Sequence, residues 1–225
     1  MKRISPTRIL ARLSVYGAFL VSGMIVADAY DWVPQTLTDK AGAEYNRAAA
    51  NRIDDWRAML KRSAGYSEER KVEEVNYFFN RRLRFVSDEE HWGQIDYWAT
   101  PFESLASDGG DCEDYVIGKY YSLLKLGVPT SKLRITYVKA VRLNQAHMVL
   151  AYFPRPDAIP VVLDNLIPQI RPASERPDLE PVYSFNGEGM WLDRMKGQGI
   201  LMGNPNKLDL WTDLRVRMNQ FGMDL

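Results

Sequence analysis

Asp108-Gly109-Gly110-Asp111-Cys112-Glu113-Asp114 carries the only cysteine of the chain and sets it where a loop turns into a helix. Gly109 and Gly110 end the loop, and without side chains they are expected to let a substrate chain approach closely. Asp111 is a good N-cap residue, and Asp114, three residues on, is placed to accept in return from the N-cap amide. Tyr115, Val116, Tyr120, Leu123 and Leu124 then recur at helical spacing, and Gly127 with Pro129 supplies the stop. Cys112 therefore falls in a first helical turn, where unpaired amides and the positive end of the dipole favour a thiolate. That is a nucleophile's position.

The neighbouring charges oppose this. Asp108, Asp111, Glu113 and Asp114 crowd negative charge around the sulfur, which raises a thiol pKa and suppresses the thiolate. A hard divalent cation is the natural offset, because several carboxylates with loop carbonyls make the oxygen-rich cage that calcium prefers. The plainer alternative is that these acids only cap a helix and face water.

With 225 residues, 46% of them hydrophobic, the chain can bury a substantial core in one domain. Its 29 basic and 29 acidic residues cancel, so neither a nucleic-acid footprint nor a polybasic membrane surface is indicated. The N-terminus differs in kind. Lys2, Arg3, Arg8 and Arg12 form a basic region, Leu13 to Ala27 is largely apolar, and Ala27-Asp28-Ala29 has the small-x-small pattern of a cleavage site. Residues 1–29 are read as an export signal, the apolar run being short for a membrane anchor of ~20 residues, and residues 30–225 as a single domain. Cleavage after Ala29 removes four basic residues and one acidic one, leaving a net charge of −3. A lone cysteine in an exported chain cannot form an internal disulfide, and a free thiol in an oxidising compartment is a liability unless it is used.

Along the rest of the chain, a first helix is expected from Asp39 to about Arg62, with Tyr45, Ala49, Ile53, Trp56 and Leu60 on its apolar stripe. A second runs from about Ser67, its N-cap, to Asn80, and Leu83, Phe85 and Val86 suggest a short extended piece. His91 sits in Glu89-Glu90-His91-Trp92-Gly93, which reads as exposed loop. Thr100-Pro101-Phe102-Glu103 is a capping box opening a short helix, Pro101 to Ser107. Trp98 just before it is a core or rim residue, or else an oxyanion donor through its indole N–H. After Pro129 the texture turns extended: a run through Leu133, Ile135, Tyr137 and Val138, a second from His147 to Phe153, and a third from Ile159 to Leu163. Leu210, Trp211, Leu214 and Met218 fit a packed last helix or, as the alternative, a docking face. Helices followed by antiparallel strands make the class α+β.

His147 opens the second strand and Asp164 closes the third, and neighbouring antiparallel strands bring such ends together. Cys112, His147 and Asp164 form a set in that chain order, in which a histidine takes the thiol proton and an aspartate holds its tautomer. Hydrolase or acyl-transferase chemistry follows.

Trp98-Ala99-Thr100-Pro101, Gly110-Asp111-Cys112-Glu113-Asp114, His147-Met148-Val149-Leu150 and Leu163-Asp164-Asn165, with Pro181 to Gly187 and Met190-Trp191-Leu192, resemble the bacterial transglutaminase-like cysteine peptidases. The resemblance runs from about Tyr45 to Leu192. It implies a papain/transglutaminase-like fold, a nucleophile at Cys112, a base at His147 and an orienting Asp164. It also implies calcium at Asp111 and Glu113, with Asp114 a further candidate. The family's substrates are large biofilm adhesins cut near their N-terminal retention module, and an inner-membrane cyclic di-GMP receptor sequesters the protease from the periplasmic side. Two rivals stay open: an acyl transferase with the same three residues, and a calcium-dependent binding module without catalysis. A homodimer is also open, and the proline- and charge-rich stretch Arg171 to Glu180 receives no role.

Overall fold

The computed structural model describes residues 32–192 and 199–225, and the expected export signal at 1–29 lies outside them. Helices come first: α1 (Gln35–Glu44), α2 (Arg47–Ser63), α3 (Glu68–Arg82), α4 (Asp88–Trp92), α5 (Pro101–Ser107) and α6 (Cys112–Lys125). Strands follow: β1 (Leu133–Ala140), β2 (Gln145–Tyr152), β3 (Val161–Leu163), β4 (Arg171–Pro172), β5 (Leu179–Phe185), β6 (Met190–Leu192) and β7 (Ile200–Gly203), before the closing helix α7 (Asp209–Gln220). All strand pairs are antiparallel, in the order β4-β3-β2-β1-β5-β6-β7. This is the expected α+β arrangement, with Cys112 at the N-terminus of a helix packed on an antiparallel sheet. Among the described residues no helix is long and apolar enough to cross a membrane.

The single first helix expected from Asp39 is broken. Asn46 takes an extended conformation and its Oδ1 accepts the Ala49 N–H at 2.9 Å, so its short polar side chain restarts the helix as α2. Tyr45 leaves the apolar stripe and is 41% exposed. From Ala49 on the pattern holds: Ile53, Trp56, Met59 and Leu60 are buried, and Lys61 and Arg62 in the last turn complement the helix dipole. Ser67 caps α3 through the Arg70 N–H, as its position before the apolar run requires.

α6 is buried along nearly its whole length. It lies between α3 and the sheet, against β2. The Trp56 indole donates to Ser122 Oγ at 2.9 Å, fixing α2 to α6 within a core that also holds Phe79, Phe102, Tyr120, Phe185 and Trp211. Trp211, Leu214 and Met218 of α7 are buried, which confirms packing for the last helix. Gly118 permits the closest approach, because a Cβ there would overlap the Phe79 ring.

The loop before Cys112 is pinned to the segment around Phe85 through backbone bonds. Gly110 N–H donates to Arg84 O at 3.2 Å and Val86 N–H to Gly110 O at 3.1 Å, making the short extended piece around Phe85 a parallel bridge. Arg52 donates to the Leu105 and Ala106 carbonyls at 2.5 and 2.8 Å, satisfying acceptors at the C-terminal end of α5.

Gly118→Ala is expected to lower the unfolding free energy by about 1–3 kcal/mol through overpacking against Phe79. Gly65→Ala, where nothing lies within 4 Å of the added methyl, should change it by no more than about 0.5 kcal/mol. Urea titration of both variants checks the difference.

Candidate functional site

A cleft of about 880 Å³ is lined by Trp98, Asp111, Cys112, Glu113, Tyr137 and His147, among others. α6 delivers Cys112 from its first turn, and β2 delivers His147, opposite Val138 of β1. The Met148 backbone N–H hydrogen-bonds the Cys112 sulfur, so the thiol of α6 meets β2 one residue along from His147. The thiol itself donates to Glu113 Oε2 at 2.8 Å. Burial, then the negative charge of Glu113 and Asp111, pushes the thiol pKa well up. The helix N-terminus alone does not overcome those carboxylates, since its effect is worth about 0.3–1 kcal/mol.

On the other wall, β3 pairs with β2 and ends at Leu163, so Asp164 emerges beside His147. His147 Nε2 is 2.8 Å from Asp164 Oδ1, and both residues are buried. The Leu166 N–H donates to the same oxygen at 3.0 Å, and Arg176 Nη2 donates to Oδ2 at 2.6 Å. Burial would raise the Asp164 pKa, but the bonds from His147, Arg176 and Leu166 outweigh it and hold the carboxyl at about 2. Lys119, two turns below Cys112 on α6, is fully buried with no hydrogen-bond partner at Nζ; burial lowers its pKa to about 7 against the opposing pull of Asp164.

The acids form a cluster larger than the heptapeptide. Asp88, Asp111 and Asp114 offer oxygens within 4.8 Å of one another, as do Asp88, Asp96 and Glu113. Asp88 Oδ2 accepts the Tyr97 N–H at 2.5 Å, while Asp88 Oδ1 and Asp111 Oδ1 are buried without a hydrogen-bond partner. Such orphaned anionic oxygens are costly and suit a hard cation. Asp114 is differently employed: Oδ1 accepts the Ala99 N–H at 2.7 Å and Oδ2 the Asp111 N–H at 3.2 Å, the second being the reciprocal half of the capping arrangement read from sequence. The residues fit a bound divalent ion with Asp88, Asp96, Asp111 and Glu113 as the oxygens best placed to hold it. Asp88 and Asp96 lie some 15 to 25 residues before Cys112 and carry no spacing signal that links them to it.

Several local expectations change. Gly109 and Gly110 admit the protein's own side chains, since a Cβ would lie 2.9 Å from His91 Cε1 at the first and 2.5 Å from Asp114 Oδ2 at the second. His91 is in helix α4 rather than in exposed loop. Ser87 caps that helix, Gly93 ends it in the left-handed region at φ 66°, and His91 Nε2 bonds Ser107 Oγ at 2.7 Å. Trp98 is buried, stacks on Phe185 at 5.8 Å, and hydrogen-bonds Asp96, which takes its indole away from an oxyanion role. Arg217 of α7 donates to Trp98 O at 2.6 Å and pairs with Glu103 at 2.7 Å, tying the C-terminal helix to this wall. The Thr100–Glu103 capping box is formed as read.

The family described as bacterial transglutaminase-like cysteine proteinase matches residues 45–179. Legionella pneumophila LapG, EGTA-treated, is 38% identical to this chain; the match covers 82% of this chain and 96% of LapG, with a TM-score of 0.72. The calcium-bound form of that LapG is 39% identical over 82% of this chain and 98% of its own, with a TM-score of 0.70. No curated protein matches.

The acid cluster makes pH dependence a test. Burial, then neighbouring acids, lifts Asp88 to about 6 and Asp111 to about 9. In chelator, the folded chain therefore keeps protons that the unfolded chain, with carboxyls near ~4, has released, and stability falls as pH rises from 5 to 8. His91 and Lys119, whose pKa values burial lowers, tilt the other way. The comparison with Asp111→Asn isolates the carboxylate: melting temperatures in chelator should show the native chain losing several degrees relative to the variant across that range, at about 2–4 °C per kcal/mol.

Proposed function

The chain belongs to the bacterial transglutaminase-like cysteine proteinases, and on that premise we propose that it is a calcium-dependent endopeptidase of the periplasm using Cys112, His147 and Asp164. The observation that carries this reading is the 2.8 Å bond between His147 Nε2 and Asp164 Oδ1 in the cleft that Cys112 lines. With Nε2 committed to Asp164, Nδ1 is the nitrogen that takes the thiol proton.

The steps follow from these residues. His147 accepts the Cys112 proton, and the thiolate adds to the scissile carbonyl carbon. The imidazolium, stabilised by Asp164, gives its proton to the leaving amine as the C–N bond breaks, which leaves a thioester on Cys112. A water deprotonated by His147 then attacks the thioester, releasing the carboxylic acid and restoring the thiol. Asp88, Asp96, Asp111 and Glu113 would hold the calcium, whose charge would offset the carboxylates beside the thiol. The likeness to a LapG structure in a calcium-bound form supports choosing that ion.

The substrate proposed is a large surface adhesin cut near its N-terminal retention module, which releases it and disperses a biofilm. The proposed regulator is the periplasmic domain of an inner-membrane cyclic di-GMP receptor. Export rests on the basic and apolar run with its small-x-small site at residues 27–29.

Incubation with an adhesin N-terminal fragment tests this directly. The native chain with calcium should give two fragments whose masses sum to substrate plus water, excess chelator should stop cleavage, and Cys112→Ala and His147→Ala should each reduce it by at least about 10⁴-fold. An amine adduct in place of two fragments would point to acyl transfer, and undiminished cleavage by Cys112→Ala would overturn the reading.

A further inference from the structure

Arg176 comes from the stretch between β4 and β5 for which the sequence offered no role. It is a charged residue only 2% exposed. Its guanidinium joins two carboxylates: Nη2 donates to Asp164 Oδ2 at 2.6 Å and to Asp178 Oδ2 at 2.9 Å, and Nε donates to Asp178 Oδ1 at 3.0 Å. Asp164 thus has its two oxygens divided, Oδ2 to the guanidinium and Oδ1 to His147 Nε2 and the Leu166 N–H.

We propose that Arg176 is a positioning residue for the reaction: by clamping Asp164 Oδ2 from behind, it fixes the carboxylate so that Oδ1 faces His147 and holds the imidazole with its proton on Nε2 and Nδ1 toward the thiol. This rests on the proposed roles of Cys112, His147 and Asp164.

Three features support it. The Asp164 side chain is wholly buried, so without a cation its charge would stand uncompensated in the interior, where a carboxyl turns or takes a proton. Asp178, 20% exposed at its side chain, takes the Nε–Nη2 edge, sharing Nη2 with Asp164, and so keeps the guanidinium plane from rotating away. The geometry also requires an arginine, because one ammonium cannot serve Asp164 and both oxygens of Asp178 from fixed in-plane directions. A merely structural ion pair would hold the loop onto β3 but would leave the histidine tautomer unchanged if removed.

The test uses the full chain, wild type beside Arg176→Met, Arg176→Lys, Asp178→Asn and His147→Ala. Alkylation of the sole cysteine by iodoacetamide, followed by intact mass, reads thiolate availability without needing a natural substrate. The side-chain N–H spectrum of the two histidines reads the tautomer, with His91, bonded to Ser107, as an internal measure of folding.

Arg176→Met should slow alkylation about 10- to 100-fold, the scale on which outer partners of an oriented histidine act. It should move the His147 ring signal away from the Nε2–H form while His91 stays in place, with Arg176→Lys and Asp178→Asn intermediate. Native alkylation and an unmoved His147 signal in folded Arg176→Met would overturn the inference and leave the functional reading standing. Should Arg176→Met fail to fold, an unmoved His147 signal in both milder variants overturns it equally. Native alkylation in His147→Ala would instead remove the functional reading, and this inference with it.

Discussion

Five carboxylates drawn around one thiol are the constraint to which the rest of this molecule answers. Asp88, Asp96, Asp111, Glu113 and Asp114 converge at the mouth of α6, where burial, and then the neighbouring carboxylates, raise the pKa values of Asp88, Asp96, Asp111 and Asp114. Across the cleft, the same chemical group behaves oppositely: Asp164 is no less enclosed, yet donors from His147, Arg176 and Leu166 hold it ionised. One wall carries its own compensating cation in Arg176, and the other has orphaned oxygens where a cation would sit. The two walls of the cleft thus hold their buried carboxylates in opposite ways.

That asymmetry accounts for what the glycines and the capping acid do. Gly110 is small because the Asp114 carboxylate fills the space a side chain would take, and Asp114 is buried because its oxygens hold the Ala99 and Asp111 amides. The heptapeptide is a folded knot of its own, tied to Arg84 and Val86 by backbone bonds and closed on the far side by Arg217 through Trp98.

Much of this was legible because its signals are local. Thr100 with Glu103 and Pro101 set the bounds of α5, Ser67 marked the start of α3, and the apolar runs near Ile135 and Met148 marked β1 and β2. The adjacency of His147 and Asp164 followed from hairpin order alone. What escaped was either a competition within one turn or a contact across the chain. Asn46 broke the first helix by out-competing an apolar stripe that ran through it, and Ser87 with Gly93 made a helix of five residues, too short for periodicity to register. β6 and β7, three and four residues long, are strands because β5 gives β6 an edge and β6 gives one to β7. Asp88, Asp96 and Arg176 acquire meaning only when distant segments meet, and no spacing along the chain encodes that.

His147 on β2 and Asp164 at the end of β3 are brought together by the pairing of those two strands, whereas Cys112 reaches them only through the packing of α6 on β2. In the proposed chemistry, a polypeptide whose helical half has not yet docked holds a sulfur without a base and a base without a sulfur. Latency is then a property of assembly itself. On that reading, a chain in which α6 is not packed on β2 is unable to cut its neighbours.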